Sequence, residues 1–180
     1  MSKLRFVLLM LIILAAAWTD QITPRNSPVP AAPLRTELVS MMAQFDATPL
    51  DIDAVRIAEL NELAAWTADE LAAHGTASLT FICTHNSRRS HLAQLWTAAA
   101  AAHLGIEGVQ AFSGGTEATA FNPRTVAALR RAGFIIEEEI RGENPVYRVR
   151  WSDEDEGVLC FSKRYTDPVN PAEGFAAVMT

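Results

Sequence analysis

The chain has 180 residues, 49% of them hydrophobic, which is enough to bury one good core and hardly two. A net charge of −6 and a pI near 5.2, with no basic stripe, exclude nucleic acid as the natural partner. Two cysteines, Cys83 and Cys160, make neither a disulfide framework nor a zinc site, because no paired Cys/His spacing accompanies them; no metal or other cofactor is expected.

Lys3 and Arg5 precede an unbroken apolar run from Phe6 to Ala17 that ends in small residues before Trp18-Thr19-Asp20. A positive start, a short apolar middle and small residues at its end describe a signal peptide over residues 1–20, or an uncleaved anchor; the run is short for a membrane span. The expected location is then exported, periplasmic or anchored in the inner membrane, the membrane being met through this segment alone. Without a working signal the protein is cytoplasmic. Residues 21–33 hold Pro24, Pro28, Pro30 and Pro33 among polar residues and read as a disordered linker.

Residues 34–75 read as a helical extension that packs on the main domain. Leu34, Leu38, Met41, Met42 and Phe45 have helical apolar spacing, repeated after Thr48-Pro49 by Val55, Ile57, Leu60, Leu63, Ala64 and Leu71. Asp51 or Asp53 can cap the second helix, and His74-Gly75 ends it.

Residues 76–180 alternate. Leu79 to Cys83 reads as a strand, Ser90 to Leu104 as a helix, Val109 to Ser113 as a strand, Gly114-Gly115 as a turn. Pro123 to Ala132 reads as a helix with Asn122 as cap, Pro123 at its first position and Gly133 after its last. This order predicts a three-layer α/β/α domain on a parallel sheet, with ligands binding beyond the strands' carboxyl ends, where Cys83 lies. Val146–Trp151 and Val158–Phe161 read as a hairpin whose acidic tip, Ser152 to Gly157, is a solvated turn. Phe175 to Met179 reads as a last buried strand.

The residues that carry chemistry are Cys83-Thr84-His85-Asn86-Ser87-Arg88-Arg89-Ser90. A loop that runs from a strand into a helix aims its N–H groups and the helix's positive end at one spot, which suits a tetrahedral oxyanion. A thiol at the start of that loop is held toward its thiolate, a nucleophile. The Arg89 guanidinium can clamp two oxygens, and the Ser90 hydroxyl can donate to the sulfur. The plainer reading, a small buried cysteine at a strand end, accounts for neither the helix that follows nor the serine after the arginine. Cys160 falls inside a strand and reads as structural, and Asp167-Pro168 reads as a turn.

The stretch Phe81 to Gln94 resembles the active-site loop of the low-molecular-weight protein tyrosine phosphatases and the related thioredoxin-coupled arsenate reductases. A second block agrees: Phe112-Ser-Gly-Gly-Thr-Glu, then Asn122 to Phe134. The likeness runs from about Leu79 to Thr180. It implies that Cys83 is the nucleophile forming a phosphocysteine and that Arg89 holds the equatorial oxygens. It further implies an anion cradle of Thr84, His85, Asn86, Ser87, Arg88 and Ser90, with Asn86 keeping the loop in shape. The substrate is then a phosphate monoester or an arsenate oxyanion, the latter with a thiol reductant. Arg88 stands where the arsenate reductases often carry another cysteine, which favours phosphatase over arsenate reductase. The family continues past the last strand with an Asp-Pro loop whose aspartate protonates the leaving group. Its absence from this sequence makes the α/β domain read as C-terminally incomplete, and keeps a catalytically impaired, anion-binding module as an alternative.

Overall fold

The computed structural model describes residues 33–47 and 52–180. The readings of residues 1–20 and 21–32 lie outside them. Two helices come first, α1 (Thr36–Asp46) and α2 (Ala54–His74). Asp53 caps α2, its carboxylate accepting from the Arg56 N–H at 2.9 Å, and Gly75 at φ 74° ends the helix in the left-handed conformation that glycine adopts without a Cβ clash. Each helix buries one stripe: Leu38 and Met42 from α1; Leu60, Ala64, Thr67 and Leu71 from α2.

The centre of the molecule is β1 (Ala77–Cys83). It pairs in parallel with β2 (Val109–Gly115) on one side and with β6 (Phe175–Met179) on the other, giving the order β2-β1-β6. Helix α3 (Arg89–His103) packs on β1 and β2, and α2 packs on β1. Both faces of β1 are therefore covered, which is why six of its seven residues are buried even though Ser78 and Thr80 interrupt the apolar run. The domain is the expected three-layer α/β/α arrangement around a parallel sheet. One core joins everything: Leu38, Met42 and Leu60 lie in the same cluster as Leu79, Phe81 and Trp96. Trp96 meets the edges of Phe45 at 6.1 Å and Phe134 at 5.2 Å, so α1, α3 and the segment after α4 (Pro123–Ala132) share one aromatic contact. Fully burying a side chain of this class is worth about 1.5–3 kcal/mol.

Three sequence readings need correction. Gly114 and Gly115 are the last residues of β2, not a turn. A Cβ on Gly114 would sit 2.3 Å from the Tyr165 Cα, so the pair is glycine because backbone crosses it closely. Second, the expected hairpin forms, from β4 (Val146–Arg150) and β5 (Val158–Cys160), but an unforeseen strand, β3 (Ile135–Ile140), joins it in a separate antiparallel sheet of order β3-β4-β5. Strand β3 carries Glu137, Glu138 and Glu139 in a row, which hides its alternation. Cross-strand arginines compensate: Arg150 Nη2 meets Glu137 Oε1 at 3.2 Å, and Arg148 pairs with Glu139. Third, β6 is an edge strand and only Val178 in it is buried; Met179 is 69% exposed.

The acidic tip is also more than a solvated turn. Leu34 bridges to Ser152, the Arg35 N–H donates to the Trp151 carbonyl at 3.1 Å, and the Arg35 guanidinium reaches Asp153 at 3.1 Å. The exposed ion pair adds little by itself; the backbone contacts fix where α1 begins. Among the described residues no helix is long and apolar enough to cross a membrane.

Candidate functional site

Strand β1 ends at Cys83 and helix α3 begins at Arg89, so five residues make the whole connection. No side chain caps α3, which leaves its first N–H groups free to face a bound group. The loop's carbonyls are held from outside. Those of Cys83 and Thr84 accept from the N–H groups of Thr116 and Glu117 at 3.0 and 2.8 Å, and that of Ser87 from Asn122 at 3.0 Å. The His85 carbonyl accepts from the Ser162 hydroxyl at 2.8 Å. With these carbonyls turned outward, the N–H groups of Asn86, Ser87 and Ser90 turn toward the Cys83 sulfur.

Asn86 is the hinge of this inversion. It is fully buried and has φ 42°, the one positive value at a non-glycine among the described residues. Asparagine tolerates that region better than other side chains, at a cost of roughly 1–2 kcal/mol. Its amide offsets that strain. Oδ1 accepts from the Lys163 N–H at 2.9 Å, which fixes the flip, and Nδ2 donates to Ser90 Oγ at 2.9 Å. Ser90 Oγ therefore accepts from Asn86 and turns its own hydrogen to Cys83 Sγ, 3.1 Å away. Burial pushes the Cys83 thiol up, but the Ser90 hydroxyl and the N–H groups of Ser90, Ser87 and Asn86 outweigh it, and the net shift is downward from the ordinary 9.0.

A cavity of about 400 Å³ opens above the sulfur, lined by Cys83, His85, Ser87, Arg88, Arg89 and Thr119. Five of the eight residues singled out in the sequence thus line it. Asn86 and Ser90 lie buried beneath the loop, and Thr84 spends its carbonyl on holding the loop to the turn after β2. The Arg89 guanidinium donates to the Thr180 carbonyl at 2.5 Å; the sulfur is stabilised by neutral donors. His85 Nε2 lies 3.4 Å from Glu117 Oε2 at the rim.

Sequence reasoning missed the segment from Phe161 to Tyr165. Ser162 Oγ both donates to the His85 carbonyl and accepts from the Thr119 N–H at 2.8 Å; Lys163 holds Asn86; Tyr165 and Lys163 bridge to Gly115 at 2.9 Å. Asn144 ties the segment to the second sheet, its amide reaching the Ser162 carbonyl at 2.7 Å and N–H at 3.1 Å. Behind the loop, His91 stacks on Phe121 at 3.9 Å and donates through Nε2 to the Phe161 carbonyl at 3.3 Å. Burial, with the nearby Lys163 charge, pushes His91 down to about 3, so it is a neutral packing element. The hydrogen bonds this segment makes to the loop come from the Ser162 hydroxyl and the Lys163 backbone N–H, and no residue pattern announces them. Cys160 is fully buried, and burial pushes its thiol up to about 12. Among the described residues no cluster of His, Cys, Asp or Glu is placed to hold a metal ion.

Residues 78–143 match the family model of the low molecular weight phosphotyrosine protein phosphatases. An arsenate reductase from Bacillus licheniformis is 44% identical over 62 residues, a stretch covering 34% of this chain and 42% of that protein. This chain therefore spans less than half the length of that relative. The family match ends at Glu143, short of the extent read from the sequence, so the segment that braces Asn86 lies outside it. No solved structure gives a significant match. Over residues 78–143, the stretch that carries the loop, the chain is therefore similar to the low molecular weight phosphotyrosine protein phosphatases, and over 62 residues to an arsenate reductase.

Proposed function

We propose that the chain hydrolyses phosphate monoesters, aryl phosphates and phosphotyrosine among them, through a phosphocysteine on Cys83. The observation that carries this reading is the sulfur at the foot of the cavity, 3.1 Å from a serine hydroxyl oriented toward it and flanked by loop N–H groups. Those donors suit a thiolate before reaction and an equatorial phosphoryl oxygen during it. The thiolate attacks phosphorus and the ester oxygen departs; water then attacks phosphorus, and the S–P bond breaks to return the thiolate. Arg89 exchanges its bond to the Thr180 carbonyl for the oxygens of the bound anion.

Arsenate reduction is the second reading, supported by the name of the Bacillus relative. It needs a second thiol to resolve the arsenic adduct. Cys160 is fully buried and held protonated to about 12, which suits it poorly to that role. This favours the phosphatase. Rapid quenching with p-nitrophenyl phosphate, followed by mass spectrometry of the Cys83 peptide, tests the proposal. A phosphoryl adduct on Cys83, lost in Cys83→Ser together with turnover, is expected. Anion binding with no adduct would leave a binding module, and turnover by Cys83→Ser would sink the mechanism.

A further inference from the structure

We infer that the Arg88 guanidinium binds a second anionic group, carried on the substrate's leaving group, and that the site thereby prefers phosphate monoesters whose leaving group bears a carboxylate. The inference rests on the phosphoryl-transfer reading above. In that reading the phosphoryl oxygens already have their partners. The N–H groups of Asn86, Ser87 and Ser90 face the sulfur, and Arg89 supplies a planar fork. Arg88 is a further guanidinium bordering the same cavity. At about 400 Å³ that cavity falls in the range that encloses a small organic ligand. It has room for the leaving group as well as the phosphoryl group, within reach of the Arg88 side chain.

The backbone of Arg88 is fixed while its side chain is not. Its carbonyl accepts from the Leu92 N–H at 3.0 Å as the first turn of α3 forms. The neighbouring Ser87 is tied through its carbonyl to the Asn122 N–H at 3.0 Å and through its hydroxyl to the Ala120 carbonyl at 2.7 Å. The Arg88 side chain is exposed and, among the described residues, makes no hydrogen bond or ion pair. Elsewhere carboxylates claim their cations: Arg35, Arg56, Arg141, Arg148 and Arg150 each pair with one. That is the ordinary outcome in a chain with 21 Asp and Glu against 15 Lys and Arg. Even Glu117, at the cavity rim, lies 3.4 Å from His85 Nε2 and is not paired with Arg88. On a chain of net charge −6, two guanidiniums at one cavity make a local attractive field for an anion that the rest of the surface repels.

Guanidinium stays charged throughout the accessible pH range, and its fork matches a carboxylate through two parallel N–H···O bonds. A carboxylate remote from the breaking P–O bond is held equally in the ground state and the transition state. Its contribution therefore appears in KM and kcat/KM and leaves kcat nearly unchanged. The same chemistry comes from two sources: a small aryl phosphate bearing an acid, or a peptide with an acidic residue beside phosphotyrosine.

The test compares 3- and 4-carboxyphenyl phosphate with their carboxamides, and phosphotyrosine peptides carrying Glu beside the phosphotyrosine with the same peptides carrying Gln. Each pair is measured with the wild-type protein, Arg88→Gln and Arg88→Glu. The carboxamide is the better leaving group of each aryl pair, so leaving-group basicity works against the expected preference. Each ratio is taken within one protein, so a change in the folded fraction cancels; thermal melts verify the fold. The wild-type protein should favour the carboxylate by about three- to tenfold in kcat/KM, through KM. Arg88→Gln should erase that preference and Arg88→Glu should reverse it, both effects shrinking as salt rises. A preference confined to the aryl pairs supports a small-molecule source of the carboxylate, and one confined to the peptides supports a protein substrate. No wild-type preference in any pair, or one that survives Arg88→Glu, overturns the role of Arg88 while a phosphocysteine on Cys83 still stands. If the wild-type protein turns over none of these esters and forms no adduct, the underlying reading falls and this inference with it.

Discussion

Cys83 and Cys160 are both buried thiols at strand ends, 6% and 0% exposed, yet they are driven in opposite directions. Cys83 ends a strand of the parallel sheet and faces Ser90 and three loop N–H groups; its thiol is lowered despite burial. Cys160 ends a strand of the antiparallel sheet; burial pushes its thiol up to about 12, against the opposing charge of Lys163. Loss of water penalises both thiolates, so burial cannot separate them. Hydrogen-bond donors aimed at the sulfur decide the sign, and they are aimed because every loop carbonyl named above is held from outside.

The largest way to break the contrast is to remove one sulfur at a time. Cys83→Ser should abolish turnover of every phosphate ester. Cys160→Ala should retain full turnover and lose only about 1 kcal/mol of stability to the small cavity it leaves. Steady-state kinetics and denaturant melts on both variants check this, and lost turnover in folded Cys160→Ala would mean that the second thiol takes part.

The next largest effect attacks the loop from behind. A Cβ on Gly115 would fall 2.4 Å from the Glu117 carbonyl oxygen, 2.6 Å from the Asn86 nitrogen and 2.7 Å from the Thr84 carbonyl oxygen. All three are backbone atoms that hold the loop. Gly115→Ala should therefore cost about 1–3 kcal/mol and slow Cys83 alkylation along with turnover. Full Cys83 reactivity in this variant would show that the donors reach the sulfur without the bracing.

Ser90→Ala isolates one donor. It removes the hydroxyl aimed at Sγ and strands Asn86 Nδ2. A hydrogen bond to an ionised group is worth about 1.5–3 kcal/mol, so alkylation of Cys83 at pH 7 should slow at least about tenfold. An unchanged rate would assign the lowering to the N–H groups alone.

The smallest effect is read on stability. The folded Cys160 thiol stays protonated to about 12, whereas the unfolded thiol ionises near the ordinary 9.0. A raised folded value gives stability that is fully present below about 9 and lost as pH rises toward 12. Wild-type denaturant midpoints should thus fall further between pH 7 and 10 than those of Cys160→Ala. His91 has the opposite sign. Its value is lowered to about 3 from 6.5, so its contribution is present above about 6.5 and lost as pH falls toward 3.

What was legible in the sequence follows local punctuation. Asn122-Pro123 and Gly133 bracket α4 as expected, with Asn122 Oδ1 accepting from the Arg124 N–H at 3.0 Å and Gly133 at φ 110°. The path from β1 through the loop to α3 was legible for the same reason: an apolar run, a turn and a helical stripe lie next to one another. What failed depends on distant partners. Strand β3 is hidden by three glutamates in a row, two of which, Glu137 and Glu139, find their arginines only across the sheet. The exposure of Met179 follows from β6 standing at the sheet's edge, a matter of topology. Asn86 is braced by Lys163, 77 residues away, through a backbone N–H that every non-proline residue carries. Thr119 borders the cavity because Ser162 holds its N–H, a contact with no local trace.

The most direct test of the central claim is the pH dependence of Cys83 alkylation by iodoacetamide in Cys160→Ala, with and without phosphate or arsenate. The account predicts a midpoint below the ordinary thiol value of 9.0 and protection by either anion. A midpoint at or above 9.0 with no protection by anion would contradict it.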